Sequence, residues 1–173
     1  MEDLRYPIGR FTFNGKLSDV QIHNAIEDIN TAPAALHNAV QFLTNTQLDT
    51  PYRPQGWTLR QVVHHLADSH INAYVRLKLT LTEKEPTIRS YDEVQWANLP
   101  DATGPIDMSV NLIKTLHLRW VFLLKKLGPK DWKRKLIHPQ LGSMDVDELV
   151  AHYSWHGRHH IAHITSLHKR MGW

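Results

Sequence analysis

The stretch from Ala151 to His163 restricts this chain more than any other. It places five of the protein's thirteen histidines within thirteen residues. It lies in a proline-free run from Asp145 to about Lys169 or Arg170. Asp145-Val146-Asp147-Glu148 opens that run as a helix cap, and Lys169 and Arg170 suit its negative C-terminal end. At ~100° per residue, Leu149, Tyr153, Ile164 and Leu167 share one face, and His156 and His160 fall on or beside it. His152, His159 and His163 lie on its flank, and His168 lies elsewhere. His156 and His160 are i and i+4, one turn apart, a spacing at which two imidazoles can hold one metal ion.

A helix with imidazoles on its inner face must find partners for them, so the other helices matter. Ser18-Asp19-Val20-Gln21 fits a capping box and starts a helix to about Asn45. Pro33 predicts a break or kink near Thr31-Ala32. Thr58-Leu59-Arg60-Gln61 is a second capping box. It opens a helix to about Leu81 on Leu59, Val62, Val63, Leu66, Ala73 and Leu77. A third helix is read from about Asp107 to Leu127, stopped by Gly128-Pro129. Residues 83–106, with Pro86, Pro100, Gly104 and Pro105, are long enough for a crossover between distant helix ends. Leu136-Ile137-His138 followed by Pro139-Gln140-Leu141-Gly142 reads as a short hairpin. The expected architecture is an all-α four-helix bundle with one long crossover connection, built from residues 1–173 as one domain.

Composition narrows the chemistry. There is no cysteine, so disulfides, thiolate ligands and a cysteine nucleophile are excluded. A metal must be held by His, Asp, Glu and water. The formal charge of +3 is mild, and apart from Lys130 to Lys135 the basic residues are scattered. This does not read as a nucleic-acid binder. The N-terminus, Met1 to Pro7, has no signal pattern, and no apolar run reaches the ~18 residues of a membrane span. A cytoplasmic, non-membrane protein is expected.

The second helix supplies Val63-His64-His65-Leu66-Ala67-Asp68-Ser69-His70. The helical wheel puts His70 near the centre of the apolar face, His65 at its edge and His64 pointing away. Two candidates for a third metal ligand therefore stand, with the wheel favouring His70. His64, His117, His138 and His168 are read as solvated or capping. Trp96, Trp132 and Trp173 are expected on the surface.

Gly56-Trp57-Thr58-Leu59-Arg60-Gln61-Val62-Val63-His64-His65-Leu66-Ala67-Asp68-Ser69-His70 resembles the opening motif of the DinB/YfiT superfamily. Tyr153-Ser154-Trp155-His156-Gly157-Arg158-His159-His160-Ile161-Ala162-His163-Ile164 resembles its second half. Leu48 to Arg53 and the ending Lys169 to Trp173 are similar to the YfiT branch. The resemblance implies a DinB-like bundle, a homodimer, and one divalent ion, Zn2+ or Ni2+, held by three histidines. Carried over by position, the ligands are His65, eight residues after Trp57, with His156 and His160. His70 then becomes a buried residue behind the ligands or in the pocket.

The resemblance also implies two reactions on small molecules. One is metal-dependent hydrolysis. The other is S-transfer from a low-molecular-weight thiol of the bacillithiol type to an electrophile. Three neutral imidazoles leave a position open, as catalytic sites do. Asp68, Asp92 and Glu93 are the candidate bases, and Asp68 and His70 are the weak candidates for a catalytic role. Arg60, Arg76, Arg89 and Arg158 are candidates to receive the carboxylates of an anionic thiol. A metal-stabilised binding protein without turnover would instead close the shell with His163 or Asp68.

Overall fold

The computed structural model describes residues 3–173. Met1 and Glu2, the start of the N-terminal stretch read above, lie outside them. Its helices are α1 (Asp19–Val40), α2 (Asn45–Leu48), α3 (Leu59–Thr82), α4 (Glu93–Trp96), α5 (Asp107–Leu124) and α6 (Val146–Met171). A two-stranded antiparallel hairpin, β1 (Lys135–His138) and β2 (Gly142–Asp145), precedes α6. Short 3-10 turns occupy Pro100–Thr103 and Asp131–Lys133. Among the described residues no helix is long and apolar enough to cross a membrane.

Both predicted capping boxes form. Gln21 N–H donates to Ser18 Oγ at 3.3 Å, while Ser18 N–H donates to Gln21 Oε1 at 2.9 Å. Thr58 and Gln61 make the same reciprocal pair at 3.1 and 3.0 Å. Asp145 caps α6 by accepting from Glu148 N–H at 2.8 Å. Each box satisfies donors that a helix N-terminus otherwise leaves free. The hairpin pairs Leu136 with Met144 and His138 with Gly142. Gly142 closes its loop at φ +81°, a conformation that disfavours any side chain.

α1, α3, α5 and α6 form the bundle. α1 packs on α5 and α6, and α3 also packs on α5 and α6. The core is divided into two apolar clusters. One contains Ile29, Leu77, Trp120, Leu124, Leu149 and Tyr153. The other contains Leu36, Leu59, Val63, Ile113, Ile164 and Leu167. Going along the chain, α1 and α6 pass from the first cluster to the second, and α3 and α5 pass from the second to the first. The packed pairs α1/α6 and α3/α5 are therefore parallel. Parallel neighbours cannot be joined by a tight turn, so residues 83–106 must return along the length of the bundle. This is the crossover that the length of the connection predicts.

The crossover is tied down at both ends. Near its start, Ile88 N–H donates to Ile137 O at 3.0 Å, and Ile137 N–H donates to Pro86 O at 2.9 Å. Near its end, Gln61 Nε2 donates to Ala97 O at 2.8 Å, and Arg60 donates to Gly104 O at 3.1 Å.

Several expectations need correcting. Pro33 does not break α1, which runs continuously through it; the helix ends earlier, at Val40, and α2 is a separate turn capped by Thr44. α5 ends at Leu124 rather than Leu127. Trp132 is buried against the core cluster of Trp120 instead of lying on the surface, while Trp96 and Trp173 are exposed. His64 and His117 are buried, not solvated. His64 bridges Ser109 Oγ at 2.7 Å and Gly104 O at 3.2 Å, because the crossover covers the face of α3 that a wheel counts as outer. Arg60 is also buried, and it does not line the cavity of the histidine cluster. It donates to Asp49 Oδ1 at 2.7 Å and Asn45 Oδ1 at 3.0 Å, so it is a structural clamp and not an anion receptor.

Arg60→Ala is expected to lower unfolding stability by roughly 1.5–3 kcal/mol, since it removes charge-assisted hydrogen bonds to α2 and to the crossover. Urea denaturation checks this. An unchanged midpoint would mean the clamp contributes nothing.

Candidate metal centre

α3 and α6 bring His65, His156 and His160 together. One ring nitrogen of each lies within 4.8 Å of the others. The ring centroids are 5.4 Å apart for His65–His156, 4.8 Å for His65–His160 and 4.5 Å for His156–His160. His156 and His160 meet because they are one turn apart on α6. His65 meets them because α3 packs on α6. No hydrogen bond joins any two of the three rings. Imidazole nitrogens crowded in this way, with no proton shared among them, suit a common cation.

Burial keeps these rings neutral. It lowers the pKa of His65 to about 4 and that of His156 and His160 well below the usual histidine value, and neighbouring histidines push in the same direction. Neutral imidazole is the form that binds metal, so the site fits a divalent ion held by His65, His156 and His160.

The cluster forms the floor of a cavity of about 510 Å³. Trp57 stands over His65 with ring centroids 4.6 Å apart. Tyr52 stacks on His163 at 4.0 Å, and Trp155 stacks on His159 at 4.3 Å. Arg5, Arg53 and Glu93 line the cavity along with Tyr6 and Val94. Thus the N-terminal arm and α4 complete a mouth whose base is built by α3 and α6.

The other sequence candidates fall in different places. His70 is 1% exposed and lies behind His156, not in the cavity lining. Asp68, whose carboxyl is raised to about 6 by burial and then by Asp101, does not line the cavity either. Asp92 caps α4 by accepting from Val94 and Gln95 N–H at 3.1 and 3.0 Å. Glu93 does line the cavity, and burial raises its pKa. Arg76 donates to Arg89 O at 3.1 Å, and Arg158 pairs with Asp28 at 3.1 Å; neither they nor Arg60 and Arg89 line the cavity. Arg5 and Arg53 do, and both escaped sequence reasoning. Their positions depend on loops whose path has no periodicity to read.

The DinB superfamily profile matches residues 28–164. A protein of Oceanobacillus iheyensis, provisionally named a metal-dependent hydrolase, is 52% identical over 169 residues, covering 98% of each chain. The structure of YfiT from Bacillus subtilis is described as a probable metal-dependent hydrolase with an unusual four-helix bundle topology. It superposes with a TM-score of 0.96 at 46% identity over 99% of each chain. A mycothiol-dependent maleylpyruvate isomerase shares the fold at a TM-score of 0.64, with 14% identity, over 81% of this chain and 59% of that one.

The depressed histidines make stability depend on pH. His65 and His117 each titrate near 4 when folded and near 6.5 when unfolded. Between those values the unfolded chain binds more protons, so stability falls as pH drops from 6.5 toward 4. Each of the two contributes a slope of about 1 kcal/mol per pH unit in that window. Denaturation of the metal-free protein at pH 4.5, 5.5 and 6.5 should show this decline; a flat profile would contradict the neutral, buried state of these rings.

Proposed function

The chain belongs to the DinB superfamily, and from that premise we propose that it is a metal-dependent hydrolase of small molecules. Its metal ligands are His65, His156 and His160. The observation that carries this reading is the convergence of three neutral donors, within 4.8 Å, at the floor of an open cavity. The name of the Oceanobacillus relative and the description of YfiT support the same activity.

A divalent ion such as Zn2+ or Ni2+ supplies Lewis acidity at such a site and can lower the pKa of a bound water toward ~7. The chain's own residues do the rest. Three neutral imidazoles add no negative charge, so the full positive charge of the site is retained. Trp57, Tyr52 and Trp155 wall the cavity and restrict water. Glu93, at the rim with a raised pKa, is the lining carboxylate placed to take up a proton.

A second reading is S-transfer from a small anionic thiol to an electrophile. Arg53 favours it, because it lines the mouth where a carboxylate of the thiol would rest; Arg5 lines the mouth too, with its guanidinium paired to Asp3 at 3.1 Å. In either reading the protein is taken as a homodimer. Met108, Leu112, Leu118 and Phe122 form an exposed apolar stripe on α5, opposite its core face, which a second copy would cover.

Purified protein is expected to bind one divalent ion per chain and to hydrolyse ester or amide substrates only when loaded. His156→Ala should reduce metal occupancy by about tenfold or more and abolish turnover. Elemental analysis and a parallel ester-hydrolysis and thiol-conjugation screen check both points. Full occupancy in His156→Ala would overturn the ligand assignment. Chelator-sensitive conjugation without hydrolysis would replace the first reaction with the second.

A further inference from the structure

The bundle contains two chains of buried histidines, each running from a main-chain carbonyl to one of the proposed ligands. The first begins at Pro33. Proline has no N–H, so it cannot give Ile29 O its usual helical donor. That carbonyl instead faces His117 Nδ1 at 2.7 Å. His117 Nε2 lies 2.8 Å from His70 Nδ1, and His70 Nε2 lies 3.2 Å from His156 Nδ1.

The carbonyl fixes the direction of every bond. It only accepts, so His117 Nδ1 carries the proton. In a neutral ring His117 Nε2 is then bare and accepts from His70 Nδ1–H. His70 Nε2 is bare in turn and accepts from His156 Nδ1–H. His156 is left with its lone pair on Nε2. That atom lies 3.5 Å from Ser69 Oγ, a hydroxyl able to donate to it.

The second chain has the same logic. His163 Nε2 lies 3.1 Å from Arg5 O and so carries the proton. His163 Nδ1 is bare and faces His160 Nδ1 at 3.3 Å. His160 must donate there, which leaves its own Nε2 bare. His70, His117 and His163 are buried with both ring nitrogens engaged, and each ring serves as donor at one nitrogen and acceptor at the other, which is the neutral form.

We propose that Pro33, through the Ile29 carbonyl, His117 and His70, presets His156 in the Nδ1–H form with its Nε2 lone pair facing the site. Arg5 O and His163 preset His160 in the same way. His117, His70 and His163 are thus positioning residues, and the site is oriented before metal arrives. Partners that hold the second nitrogen of a ligand histidine raise its basicity and fix its ring, an effect worth about 10–100-fold in metal affinity. The idea rests on the ligand assignment proposed above.

The test needs no variant at its first step. Long-range 1H–15N correlation spectra of metal-free protein report which ring nitrogen of each histidine is protonated. His70, His117, His156 and His160 are expected as Nδ1–H and His163 as Nε2–H. His156 or His160 found as Nε2–H would overturn the relay. As a second step, zinc titration of His117→Phe should show affinity weakened by about tenfold or more with helicity retained. Affinity equal to wild type, with only lower stability, would reduce the histidines to core packing. Failure of wild-type protein to bind zinc would sink the ligand assignment, while the spectra would still decide the relay.

Discussion

A layer of imidazoles crossing the bundle is the constraint to which the rest of the structure is fitted. His70, His117 and His156 sit where each helix passes from one apolar cluster to the other. Leaving one buried polar nitrogen without a partner costs about 1–3 kcal/mol, so a layer of this kind persists only if its bonds close on one another. They do, through His117 to Ile29 O on one side and through His156 toward the cavity on the other. Gly157 lies at the same level, where a Cβ would stand at ordinary packing distance, 3.5 Å from His70 Cε1 and 3.7 Å from Ala32 Cβ.

The topology and the site depend on each other. α3 must lie beside α6 for His65 to reach His156 and His160. It must also lie beside α5 for His70 to meet His117, and the two helices run parallel. That parallel pair forces the long crossover. In its course the crossover carries α4, and with it Glu93 and Val94, to the mouth of the cavity. The connection that the fold needs therefore also furnishes part of the pocket.

Much of this was legible in the sequence, for reasons that differ by residue. The capping boxes at Ser18 and Thr58 are local chemistry and form as read. The i, i+4 pair His156 and His160 follows from helical spacing alone. His65 does not: periodicity placed it at the edge of α3 and favoured His70, and only the family motif singled it out. The structure gives each a place. His70 does occupy the centre of the interior, but its ring faces His117 and His156, while His65 reaches the cavity. His117 departs from its expected solvated place because its partners, Ile29 and His70, lie 88 and 47 residues away in sequence. Pro33 leaves α1 unbroken, and the donor it cannot give Ile29 O is supplied by a side chain from another helix, which no local rule anticipates. Arg5 and Arg53 reach the mouth from irregular segments, where sequence offers no period to follow.

A crystal structure of the zinc-loaded protein, with the ion located by anomalous scattering, tests the central claim most directly. One strong peak per chain is expected, about 2.0–2.1 Å from one ring nitrogen each of His65, His156 and His160. For the two α6 ligands that nitrogen is Nε2, with His70 and His163 still hydrogen-bonded to their Nδ1 atoms. A peak elsewhere, or coordination of His156 through Nδ1, would contradict it.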